Sequence, residues 1–196
     1  MRAALFVLCL LAPAGAWGAA PQAPLPQHLV LDPGACHVGF ELGATLHSVE
    51  GSFRLTRGEI GFDPETGLAD GRVVVSARSG TTGIGLRDRN MHRAVLESET
   101  YPEIVFLPQR VAIQRHRDDV LDVELSGSIE IHGVSEPITV PGKAYLEDGR
   151  VRVHARFEVP YVRWGLRDYS NFLLRVSPTV EVSLDLVGDL KGPAPP

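Results

Sequence analysis

Between residues 121 and 131 the chain sets Leu121, Val123, Leu125, Gly127, Ile129 and Ile131 at every second position, with Asp122, Glu124, Ser126, Ser128 and Glu130 between them. A period of two held over that length describes a β-strand with one covered face. At about 3.3 Å per residue it spans roughly 35 Å, more than a small sandwich needs. The same period returns in Cys36, Val38, Phe40 and Leu42, in Val49, Gly51, Phe53 and Leu55, and in Val73, Val75 and Ala77. It continues through Ile138 and Val140, Val151 to Val159, and Val180 to Leu186, with 109–116 as a further candidate. Gly58, ahead of Ile60-Gly61-Phe62, marks a bulge or sharp bend, and Asp63-Pro64-Glu65-Thr66-Gly67 is a turn signal. About eight strands result. Eight twisted antiparallel strands leave edges exposed unless the sheet closes, so the pattern predicts a barrel. Its interior is either filled or holds one small ligand. Small residues on the inward lists, namely Ala35 or Cys36, Gly51, Ala77, Gly127 and Ala155, suit leftover space and close packing alike.

One stretch breaks the β-period. In 87–106, RDRNMHRAVLESETYPEIVF, the residues Met91, Ala94, Val95 and Ser98 share a helix face at three- and four-residue spacing. Pro102 pushes Tyr101 out of the helical region, and Ile104, Val105 and Phe106 are strand formers. A short helix therefore packs on or into a β structure. Arg87-Asp88-Arg89 at its start read as ordering the loop, and Asp88 near the N-terminus favours the helix. The Gly- and Thr-rich segment 79–85 before it reads as a hinge or turn, because it lacks the glycine spacing and lysine of a nucleotide loop.

The N-terminus has the form of a secretory signal. Arg2 precedes an apolar run at 3–12, too short to span a bilayer, and Ala14-Gly15-Ala16 and Gly18-Ala19-Ala20 offer cleavage sites. A signal peptide is expected over 1–20, a proline-rich spacer over 21–27, and one domain over 28–190. The mature protein is expected to be exported and soluble. Loss of Cys9 with the leader leaves Cys36 alone, so no internal disulfide forms and the core holds the fold by itself. A formal charge of −5 offers no basic field for nucleic acid.

Chemistry-bearing constellations are sparse. None of the seven histidines stands in HxH, HExxH or Cys/His spacing, although His37 and His47 are candidates to meet across adjacent strands. There is no GxSxG elbow, and the carboxylates fall mostly at turns, so no enzyme is expected.

Five segments in register resemble the YceI-like, or polyisoprenoid-binding, family of exported bacterial proteins. They are VGFEL with HSVEGSF over 38–53, FDPETG from Phe62, RDRNMHRAVLESETYPEIVF from Arg87, GSIEIHGVSEPITV from Gly127, and FEVPYVRWGLRDYSNFLLRV ahead of the last alternating run. The chain departs in Cys36, where members often carry Ser, and in RDRNMH in place of RD-x-HL. The resemblance implies an all-β fold, an extended eight-stranded antiparallel β-barrel, lipocalin-like, with one short capping helix. It also implies an elongated apolar interior that takes a polyisoprenoid or other long-chain lipid, with no cofactor beyond such a lipid or an isoprenoid quinone. The lining residues expected are Phe40, Leu42, Phe53, Val75, Leu125, Ile129 and Phe157, with Met91 and Val95 facing inward from the helix. A one-residue slip in register would invert the list for any strand. The implied function is a non-enzymatic periplasmic carrier for transport, storage or sequestration. Members stand beside di-haem membrane cytochromes, which brings in the quinone and a membrane cytochrome partner; an exposed edge or aromatic patch would support a homodimer. Two alternatives stand beside it: a stress-response interaction module with a filled barrel and a binding surface at 161–172, and a metal or redox site at the barrel mouth using His47, His92 or His132.

Overall fold

Apart from Cys36, the alternating runs all fall within strands in the computed structural model, which describes residues 25–45, 47–117, 120–147, 149–168, 170 and 175–192. The expected signal peptide and most of the spacer lie outside the described residues; Gln27, placed in the spacer from sequence, already belongs to the first strand. The strands are β1 (Gln27–Leu31), β2 (His37–Leu42), β3 (Val49–Asp63), β4 (Leu68–Thr81), β5 (Glu103–Arg117), β6 (Val120–Ile131), β7 (Val134–Glu147), β8 (Arg150–Val159) and β9 (Val180–Lys191). All neighbours are antiparallel, from β3 through β9 in sequence order. Both β1 and β2 bridge β3 and β9, so the two form one broken stave and the nine strands close an eight-stave barrel. This is why about eight strands were countable from the pattern, although β1 was not among them.

Two parity switches make the long strands possible. On β3 the inward series runs Phe53, Leu55 and then Ile60, Phe62, and an irregularity between Leu55 and Arg57 shifts the side chains by one position. Gly58 there lies under Leu31, whose Cδ1 stands 2.5 Å from where a Cβ would be. On β5 the series runs Ile104, Phe106 and then Val111, Ile113, with the shift between Pro108 and Arg110. The run at 109–116 is thus the second half of β5 and not a separate strand. In β4 the residues after Ser76 bulge out of the ladder with β3, and Ser79 replaces the missing partner, its Oγ accepting the Arg54 N–H at 2.8 Å and donating to the Ser76 carbonyl at 2.6 Å. The segment read as a loop from residue 79 is therefore strand as far as Thr81.

The turn at 63–67 forms as read. Asp63 accepts the Glu65 N–H at 2.9 Å and the Thr66 hydroxyl at 2.7 Å, bonds that hold its carboxyl below the usual value, and Gly67 takes a positive φ of 68°. At the other end β6 and β7 meet in a two-residue turn with His132 at φ 53° and Gly133 at φ 73°, the pair of positive angles a type I′ hairpin requires.

The helical stretch starts as α1 (Gly85–Asn90) and widens into a π-helical turn, Met91–Val95, in which the Leu96 N–H reaches the Met91 carbonyl at 2.9 Å. Glu97, at φ 43°, ends it, and Tyr101-Pro102 leads into β5.

Candidate functional site

The staves enclose a cavity of about 700 Å³. That volume falls within the range of about 300–1,000 Å³ usual for small-molecule sites. Every stave contributes apolar side chains to its wall, from Leu29 and Phe40 on the split stave round to Leu184 on β9. Many of these inward residues are only half-buried, among them Phe53, Val75, Leu125 and Phe157, because they face open space inside the barrel. The interior is open, which removes the filled-barrel alternative. It is closed at one end by a cluster around Leu29, Leu31, Leu55, Ile60, Leu121, Ala144 and Val151. A second buried cluster, Leu96, Ile131, Val159, Tyr161, Trp164 and Leu166, lies toward the opposite end.

All nine residues expected on the lining are placed there: Phe40, Leu42, Phe53, Val75, Met91, Val95, Leu125, Ile129 and Phe157. Phe40 and Phe53 stack at a tilt, with ring centroids 5.2 Å apart. The small residues do not supply the space. The Phe40 ring fills the position of a Gly51 side chain, the backbone of Leu107 closes on Gly127, Ala77 is buried away from the wall, and Ala35 is exposed. Of that set only Ala155 lines the cavity. Cys36 lies half-buried at the break in the split stave; its Sγ donates to the Val187 carbonyl at 3.4 Å, and desolvation pushes its thiol up, as expected of a structural cysteine.

The polar side chains of the wall come from one end. His47 precedes β3, Thr82 follows β4, Arg87 and Asn90 stand on α1, and Arg167 follows β8. Register puts all of these at the end where β2 leaves and β3 begins. Sequence reasoning missed Thr82, Asn90 and Arg167, and read Arg87 as ordering the loop. The signal available was their position in the two longest connections, 82–102 and 160–179.

Hydrogen bonds tie the helical segment to the rim. Asp88 accepts the Thr81 hydroxyl at 2.9 Å, the Thr82 N–H at 2.8 Å and the Thr82 hydroxyl. The Thr82 side chain first, with its N–H, Thr81 and the nearby Arg87 charge in support, holds the Asp88 carboxyl below its usual value. Arg87 Nε donates to Thr82 Oγ1 at 2.8 Å and Nη2 to the Thr82 carbonyl at 3.0 Å, so Arg87 does order the loop as well as reach the wall. His92 Nε2 donates to the Gly80 carbonyl at 2.8 Å, and Nδ1 pairs with Ser98 Oγ at 2.9 Å. No residue of α1 or of the π-helical turn is buried. The segment is a cap held by polar bonds at its edges.

The stretch at 160–179 differs from its sequence reading as a binding surface. Tyr161, Trp164 and Leu166 are buried, and desolvation raises the Tyr161 phenol; Phe172 lies outside the described residues. The aromatic residues form a plug because the backbone turns back at 161–165. The metal alternative finds no donor set: among the described residues no three His, Cys, Asp or Glu side chains are grouped to hold an ion. His92 is engaged as above, and His132 stacks on Tyr101 with ring centroids 4.6 Å apart and lies 3.6 Å from Glu97. No helix among the described residues is long and apolar enough to cross a membrane.

A family model described as a YceI-like domain matches residues 29–188. No match is found among curated proteins. Among solved structures the chain is similar to Burkholderia cenocepacia BcnA, at 17% identity and a TM-score of 0.67 over 80% of this chain and 98% of that one. A polyisoprenoid binding domain from Saccharophagus degradans, implicated in plant cell wall breakdown, is similar at 22% identity and a TM-score of 0.61, over 86% and 99%. A Campylobacter jejuni YCEI protein follows at 15% and 0.53, over 72% and 86%. At these identities the likeness is one of fold, a closed eight-stranded antiparallel barrel.

Proposed function

Because the chain belongs to the YceI-like family, we propose that it is a non-enzymatic binding protein whose barrel holds a polyisoprenoid or similar long-chain amphiphile. The observation that carries this reading is the cavity itself, apolar on every stave and polar only at one end. β6 spans 12 residues, about 40 Å along the strand, and a tilt of 35–45° leaves roughly 30 Å of barrel height. An extended chain lying along that axis would bury methylenes worth about 0.8 kcal/mol each without needing a polar partner. His47, Arg87, Asn90 and Arg167 then stand where a head group would emerge. The name of the Saccharophagus degradans domain supports the isoprenoid class.

Within this reading the protein is exported by its N-terminal signal and carries or sequesters its ligand in the periplasm. An isoprenoid quinone is the ligand proposed if a membrane cytochrome is the partner. Solvent extraction of protein purified from the periplasm, followed by mass spectrometry, tests the reading. The expected result is a long-chain isoprenoid at about one per chain, the capacity of one such cavity. An empty extract together with no uptake of added polyprenol would overturn it.

A further inference from the structure

Among the described residues four large apolar side chains stand exposed: Leu68, Ile84, Leu86 and Leu107. Leu68 opens β4 beside the 63–67 turn, and Leu107 lies along β5. Ile84 and Leu86 are the most exposed of the four, at 54% and 64%, and both belong to the rim of the cavity on either side of Gly85. An apolar lip continuous with an apolar interior is the kind of surface that marks an interaction site. Behind it Arg87, Arg89 and Arg93 follow within two turns, with Arg89 and Arg93 exposed. Three arginines and one aspartate leave +2 on residues 84–95, in a chain whose formal charge is −5. The one carboxylate there, Asp88, is engaged by Thr81 and Thr82.

We propose that this lip docks on an anionic phospholipid bilayer, with Ile84 and Leu86 entering the boundary between head groups and acyl chains and Arg89 and Arg93 pairing with lipid phosphates. The proposal rests on the reading of the cavity as a site for a long-chain amphiphile. Docked in this way the opening faces the membrane, so a chain passes between two apolar media without exposing its methylenes to water. The cap is suited to this because none of its residues is fully buried and its edges are held by polar bonds, with Met91 and Val95 alone packing against the buried cluster beneath it.

Flotation with protein-free vesicles tests it. The protein should float with vesicles of phosphatidylcholine plus phosphatidylglycerol, less with phosphatidylcholine alone, and less again as salt is raised. The double variant I84S/L86S should lower the bound fraction by about tenfold, and R89Q/R93Q should abolish the preference for phosphatidylglycerol. Exposed positions leave the fold intact, which thermal unfolding of each variant checks. No flotation of the parent protein, equal flotation of I84S/L86S, or binding to native membranes but not to protein-free vesicles overturns the proposal; the last result would indicate a membrane protein as partner. Uptake of a long polyprenol from ethanol separates the two readings. Uptake without flotation overturns docking alone, whereas flotation with neither uptake nor an extracted lipid retains docking and overturns the amphiphile reading.

Discussion

The staves of this barrel are finished in opposite ways at its two ends. At one end the connections are short, 64–67 between β3 and β4 and two residues each between β5 and β6 and between β7 and β8, and Leu29, Leu31, Leu55, Ile60, Leu121, Ala144 and Val151 pack into a closed floor. At the other, the long connections 82–102 and 160–179 build a plug of buried aromatic residues beside a helical cap with none buried. Even the loops there are stitched by polar bonds: the Thr45 N–H reaches the Arg175 carbonyl at 3.0 Å, and the Ser177 N–H the Gly43 carbonyl at 2.8 Å. The floor is held by burial, which depends little on pH. The cap is held by hydrogen bonds to ionisable and hydroxyl groups, which single substitutions or protons can remove. The difference assigns stability to one end and access to the other.

The largest effect should come from the floor. Leu31→Ala empties a buried site, 4% exposed and packed over Gly58, and should cost about 2–5 kcal/mol in urea unfolding. A loss below about 1 kcal/mol would mean the floor is as loose as the cap. At the cap, Met91→Asp should lower stability by about 1 kcal/mol or less, because the residue is only partly buried, yet it should sharply reduce retention of bound lipid. Equal loss of both would make the helical stretch ordinary core. The smallest effect is expected with acid. The Asp88 carboxyl titrates below its usual value, so its contribution is complete above about pH 3.9 and is lost as pH falls through the lower folded value. Hydrogen exchange across 84–95 should therefore rise below about pH 4 before the β-strands open. In Asp88→Asn the segment should exchange faster at neutral pH and lose that acid step; an unchanged step would place the titration elsewhere.

Much of the barrel could be read from period two alone, and the reasons it was incomplete are local. Alternation predicts the lining wherever a strand keeps one parity, as β6 does from Leu121 to Ile131, and all nine expected lining positions reach the cavity. It fails to join pieces across a parity switch: the bulge near Pro108 made one strand look like two, whereas Gly58 gave its bulge away. The π-helical widening at Met91–Val95 has no compositional mark. Tyr161 and Trp164 look like surface in a charged stretch, and only the turn at 161–165 shows that they point back into the barrel. The polar rim gathers residues from three connections, which no linear pattern could bring together.

The split stave has a consequence for the order in which the molecule can be made. β1 and β2 are the first strands synthesised, and both find a partner in β9, the last, with His28 opposite Lys191 and His37 opposite Asp185. Closure therefore waits for the final strand and brings the most distant parts of the chain together, the kind of contact that slows folding. Until then the growing sheet has two open edges, and loss of β9 would strand β1, β2 and β8 with unpaired backbone.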